Sequence, residues 1–124
     1  MKDKELLLKD LCARLPYGVI VEDRYGVRPL TQGNTEFVNL FSGKCNIKPY
    51  LFPLSSMTRE QKNQLLKISG IGSCIIRKDN ITFCSNIDLC ALEAIFDFLD
   101  RNHFDYRGLI GKELAIDATQ LNIY

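Results

Sequence analysis

Hydrophobic positions in the first stretch of the chain recur with a helical period. Leu7, Leu8, Leu11, Cys12 and Leu15 line one side, while Lys2, Glu5, Lys9 and Arg14 fill much of the other. The spacing predicts an amphipathic helix over 4–15. Pro16 and Gly18 end it, because proline lacks the N–H of the next helical bond and disfavours helical geometry in its predecessor. From residue 17 to residue 52 the period changes to two: Tyr17, Val19 and Val21 alternate with Ile20 and Glu22, and Phe37, Asn39 and Phe41 alternate with Val38 and Leu40. Turn signals at Tyr25-Gly26, Gln32-Gly33-Asn34 and Ser42-Gly43-Lys44 divide this stretch into about four antiparallel strands. Neither Pro29 nor Pro49 can donate to a ladder, which predicts that the second and fourth strands lie at an edge or are interrupted.

Further along, Thr58 and Gln61 have capping-box spacing ahead of a mostly polar segment, so a short exposed helix is expected over 59–67, closed by Gly70 and Gly72. Segments 74–77 and 81–84 then pair as a hairpin around Lys78-Asp79-Asn80. Over 87–101 the apolar set Leu89, Cys90, Ala91, Leu92, Ala94, Ile95, Phe96, Phe98 and Leu99 leaves only Glu93, Asp97 and Asp100 as a polar stripe. That pattern predicts a helix buried around most of its circumference. The tail from 103 to 124 is irregular, with Gly108 and Gly111 interrupting a short apolar turn at Leu109 and Ile110. With no repeat, low-complexity tract or linker, the expectation is a single domain over 1–124. Its class is α+β: an N-terminal amphipathic helix, a small antiparallel sheet of about four to six strands, and a central buried helix packed on one face.

Composition narrows the function classes. At 124 residues and 46% apolar, the chain can bury one real core without a metal or disulfides. Sixteen Lys and Arg against 15 Asp and Glu give a net charge of +1, which does not favour nucleic acid as a partner. No apolar run approaches the roughly 20 residues of a membrane span, and the opening residues are too polar for a signal peptide. Five cysteines (Cys12, Cys45, Cys74, Cys84, Cys90), odd in number and without a Cys-x-x-Cys pair, fit buried reduced thiols and a cytoplasmic protein.

Three blocks carry a resemblance. They are Leu6-Leu7-Leu8-Lys9-Asp10-Leu11-Cys12-Ala13-Arg14-Leu15-Pro16-Tyr17-Gly18, Lys48-Pro49-Tyr50-Leu51-Phe52-Pro53-Leu54-Ser55-Ser56-Met57-Thr58 and His103-Phe104-Asp105-Tyr106-Arg107-Gly108-Leu109-Ile110. Together they resemble a family of uncharacterised short proteins of gut Bacteroidales genomes and their phages and mobile elements. The resemblance implies a bacterial, cytosolic, mobile-element origin and transfers no activity, cofactor or catalytic residue. Two positions depart from the family pattern: Phe52 stands where a basic residue is expected, and Ala118-Thr119 replaces a proline-containing turn.

Candidate chemistry competes with simpler structural roles. His103, the single histidine, could serve as a base for Cys84 or Cys90, yet both thiols lie in apolar segments where inert core cysteines are the simpler reading. A zinc site from Cys84, Cys90 and His103 lacks a fourth ligand and paired spacing, so no metal and no cofactor are expected. Glu93, Asp97 and Asp100 share a helical face that could hold a cation or work as an acid/base pair, but a solvated stripe explains it with nothing extra and is the favoured reading. Ile68-Ser69-Gly70-Ile71-Gly72 has the form of a phosphate-contacting hairpin, but the β-branched residues after it favour simple helix termination. As a helix C-terminal residue, His103 is expected to gain from the dipole in its positive form.

The remaining feature is a pair of aromatic segments. Tyr50 and Phe52, together with His103, Phe104, Asp105, Tyr106 and Arg107, form a candidate interaction surface, since Tyr and Arg combine apolar area with directional hydrogen bonds. The competing structural reading has Asp105 capping the final turn, Arg107 pairing with a nearby carboxylate and the aromatics closing the core edge. The expected function is a small non-catalytic protein-binding module with an unknown protein partner and no membrane association. The alternatives are a small enzyme or ligand-binding protein using His103 with a nearby carboxylate, and a weak nucleic-acid-binding accessory protein using Lys62, Lys67, Arg77 and Lys78. Oligomeric state is not legible.

Overall fold

A computed structural model describes residues 2–23, 26–30, 47–70, 74–77, 80–83 and 87–124. Helix α1 (Lys2–Arg14) passes into a single 3-10 turn (Leu15–Tyr17) in which Pro16 needs no N–H partner, and Gly18 then reverses the chain at φ 70°. Strands β1 (Ile20–Asp23) and β2 (Gly26–Pro29) pair antiparallel with Val21 opposite Arg28. The period-two reading holds here: Val19 and Val21 are buried while Glu22 faces out. The alternating segment at 37–41 and the turns at 32–34 and 42–44 lie outside the described residues.

Among the described residues, strand β3 (Lys48–Pro53) is the centre of a five-stranded sheet ordered β2-β1-β3-β6, where β6 is Phe104–Asp105, with β7 (Ile116–Asp117) also paired to β3. Pro29 does sit on the edge strand, but Pro49 does not. It lies fully buried in the central strand, where antiparallel pairing with β1 covers only Val21 with Pro49 and Glu22 with Lys48. A proline is tolerated there because that ladder stops at once.

The tail read as irregular supplies two further strands. Strands β6 (Phe104–Asp105) and β7 (Ile116–Asp117) pair parallel with β3, Phe52 opposite Phe104 and Tyr50 opposite Ile116, so the sheet is mixed. Two-residue strands leave no periodicity to detect.

Between them, α2 (Arg59–Ser69) begins with the expected capping box. The Thr58 hydroxyl accepts from the Gln61 N–H at 3.1 Å and the Gln61 side chain accepts from the Thr58 N–H at 2.9 Å. Gly70, at φ 70°, closes α2 as expected. The hairpin follows, with β4 (Cys74–Ile76) antiparallel to β5 (Ile81–Phe83).

Helix α3 (Leu89–Arg101) is capped by the Asp88 carboxylate on the Ala91 N–H at 2.7 Å. It buries one face, Ile95, Phe98, Leu99 and Asp100, against α2, Leu54 and Phe104. The expectation of burial around most of the circumference is therefore wrong: Leu89 is 84% exposed, and Leu92, Phe96 and Cys90 also reach the surface. Cys12 is exposed as well, so of the described thiols only Cys74 follows the buried-cysteine expectation; Cys45 and Cys84 lie outside the described residues.

Two apolar clusters result. One joins Leu7 and Leu11 of α1 to Val19, Val21, Leu30, Leu51 and Leu109, and the other joins α2 and α3 to Leu54 and Phe104. Strand β3 runs from the first into the second. The fold is α+β, and no described helix is long and apolar enough to cross a membrane.

Candidate functional site

The inward face of α1 is Leu7, Asp10, Leu11 and Arg14, a strict i, i+3, i+4, i+7 set in which two members carry charge. Asp10 and Arg14 are both fully buried and joined Nε to Oδ2 at 2.9 Å. The other Asp10 oxygen accepts from Arg107 Nη1 at 2.7 Å, and Arg14 Nη2 donates to the Phe104 carbonyl. Arg14 Nη1 is buried without a partner. The pattern of Leu7, Leu8, Leu11 and Cys12 hid this arrangement, because sequence periodicity sorts charged residues to the outside. An opposite-charge pair four apart, flanked by Leu7 and Leu11, was the available signal.

Tyr106 forms the next layer. The Arg107 guanidinium lies over its ring, 4.5 Å from the centroid, and that of Arg14 is 5.5 Å from it. Its hydroxyl donates to Asp100 Oδ1 at 2.8 Å. Burial, and then this bond to Asp100, push the Tyr106 hydroxyl well above the ordinary phenol range. Burial likewise pushes the Asp100 carboxyl up, against the lowering effects of Tyr106, Arg14 and Arg107. The acidic stripe is thus divided: Asp100 faces inward, Asp97 accepts from the Tyr17 hydroxyl at 2.6 Å, and Glu93 is exposed.

His103 turns the chain from α3 into β6 with a left-handed φ of 63°, unusual for a residue with a side chain. It is 9% exposed, its Nδ1 has no hydrogen-bond partner, and its ring stacks on Tyr124 at 3.8 Å and 11°. Burial, then the positive Arg14, lower its pKa to about 4, so the ring is neutral near pH 7. The expected dipole-favoured cation is overturned, because desolvation outweighs the helix terminus.

The seven candidate residues are brought near one another, but mostly inside the fold. Tyr50, His103, Phe104 and Asp105 are buried, while Phe52, Tyr106 and Arg107 are half-buried. The Asp105 carboxylate accepts from the Leu109 and Ile110 N–H groups at 3.0 and 2.9 Å, fixing the turn after Gly108. It is consequently occupied elsewhere than at His103. Tyr50 donates to Glu22 at 2.8 Å, and Phe52 packs on Phe104 and Tyr124. Arg107 on Asp10 and the packed aromatics match the competing structural reading, while Asp105 caps the turn after Gly108 and not the final turn of α3.

Of the zinc candidates, Cys84 lies outside the described residues, and Cys90 and His103 stand at opposite ends of α3. No group of three or more His, Cys, Asp or Glu among the described residues could hold a metal. Of the four basic residues, Lys78 lies outside the described residues.

A feature the sequence reading missed lies along one flank of α3. Leu89, Leu92 and Phe96, at i, i+3 and i+7, present one exposed apolar row. Beside it, α3, β5 and Leu54 line a half-open cavity of about 320 Å³ whose walls include Ile81, Phe83, Leu92, Phe96 and Tyr106. The signal was present in the apolar excess of α3, more than one buried face requires. Comparison with protein families, curated proteins and solved structures found no match to this chain.

Proposed function

We propose that the protein is a small non-catalytic binding module that docks on a partner protein through the outer face of α3. The observation that carries this reading is Leu89, 84% exposed in line with Leu92 and Phe96. A row of large apolar side chains on a rigid helix is the kind of surface that other proteins cover. Tyr106 and Arg107, with the buried charges of α1, hold the C-terminal end of α3 in place and act as scaffold. In this reading the module works in the cytoplasm, in the bacterial mobile-element setting the resemblance implies.

The test uses the tagged protein and its Leu89→Lys variant, each recovered from native cells after nuclease treatment. A companion protein held by the parent and lost from a variant of unchanged melting temperature supports the proposal. The same companions on both overturn it, as do companions that vanish with nuclease.

A further inference from the structure

We propose that the cavity between α3, β5 and Leu54 is a binding site for a small, uncharged, largely apolar molecule. The first argument is size. An apolar cavity of about 150 Å³ admits benzene, so a space near 320 Å³ suits a ligand on the order of a dozen non-hydrogen atoms. That volume also falls within the range of about 300 to 1,000 Å³ typical of ligand pockets.

Charge supplies the second argument. None of the described lining residues is charged. A carboxylate, phosphate or ammonium entering fully would lose its hydration with no counter-charge to meet it. The polar residues of the wall are Asn80 and Tyr106, which suit one hydroxyl or amide on the ligand.

The third argument is the character and rigidity of the wall. Phe83, Phe96 and Tyr106 supply aromatic surface, with Phe96 and Tyr106 packed on each other at 5.2 Å and 39°, which fixes that part of the wall. Tyr106 is held by its bond to Asp100 and by the Arg107 guanidinium over its ring. The site is therefore largely formed before any ligand arrives. The pocket shares Leu92 and Phe96 with the docking row of α3, and the two readings are separated at Leu89, which does not line it.

The experiment titrates 1-naphthol and 1-naphthoate into the isotope-labelled protein at pH 7 and follows backbone amide shifts. The two probes are near in size, and only the second is charged. Saturable shifts at Asn80, Ile81, Phe83, Leu92 and Phe96 are expected with 1-naphthol, with 1-naphthoate weaker by about tenfold or more. Ile81→Trp, which places a larger ring in the space, should weaken 1-naphthol by a similar factor, and the remote Leu121→Ser should not. Equal binding of the two probes, or shifts that never saturate and spread over Ile75, Leu89 and Leu121, would overturn the proposal. The probe comparison needs only the unaltered protein, so it decides even if Ile81→Trp does not fold. Loss of protein docking in Leu89→Lys with naphthol binding retained would separate the two readings.

Discussion

Asp10 and Arg14 stand one helical turn apart on α1, both out of reach of water, and the Asp10 carboxylate is shared with Arg107 from the far end of the chain. Removing that carboxylate leaves two guanidinium groups without their common partner. Asp10→Ala is expected to lower the unfolding free energy by about 3–5 kcal/mol. Arg107→Ala should cost less, because its side chain is partly solvated. Urea denaturation of both variants checks the order; a cost below about 1 kcal/mol for Asp10→Ala would show that this pairing does not hold α1 to the C-terminal segment.

His103 makes stability fall on acidification. Its pKa drops from 6.5 to about 4 on folding, so between these values the unfolded chain binds the extra proton. The contribution is fully present above pH 6.5 and is lost as the pH falls toward 4. Discounted for solvent at the ring, it amounts to about 2 kcal/mol. Denaturation at pH 7 and pH 4.5 should show a smaller acid loss in His103→Gln than in the parent. An identical loss in both would contradict a buried neutral ring.

The Tyr124 hydroxyl completes the junction of β1 and β3. It accepts from the Ile20 N–H at 2.8 Å and donates to the Tyr50 carbonyl at 2.8 Å, at the position where the β1–β3 register would next pair those two residues. Burial pushes this hydroxyl up to about 12, so it remains a donor at any ordinary pH. Tyr124→Phe leaves both backbone groups unmatched and should cost about 1–3 kcal/mol. Amide hydrogen exchange at Ile20 should speed up in the variant, and an unchanged rate would rule the bridge out.

On α3 the two sides should respond differently. Ile95→Ala empties buried space and is expected to cost about 2–5 kcal/mol. Leu89→Ser, at a surface position, should stay within about 0.5 kcal/mol of the parent. Thermal or urea unfolding of the pair settles this, and a large loss at Leu89 would mean that its side chain is packed.

Where local chemistry determines an element, the sequence was readable. The capping box at Thr58 and Gln61, the stop at Pro16 and Gly18, and the hairpin of β4 and β5 all appear as expected. What escaped depends on distant partners. Phe104 and Asp105 become a strand only because β3 offers its edge, and Asp10 turns inward only because Arg14 and Arg107 meet it. Burial within the candidate surface was illegible for the same reason: aromatic content at 103–107 is equally a mark of core edge, and Phe104 and Asp105 are buried while Tyr106 and Arg107 are half-buried. The apolar excess of α3 was visible, but periodicity could not divide it into a buried face and an exposed one.

Site-specific photo-crosslinking in native cells tests the central claim most directly. A photoreactive phenylalanine analogue replaces Leu89 in one sample and the exposed Glu113 in another. The account predicts one protein species joined at position 89 and absent at position 113. Irradiation that yields no adduct at 89, or the same adducts at both positions, would contradict docking through the outer face of α3.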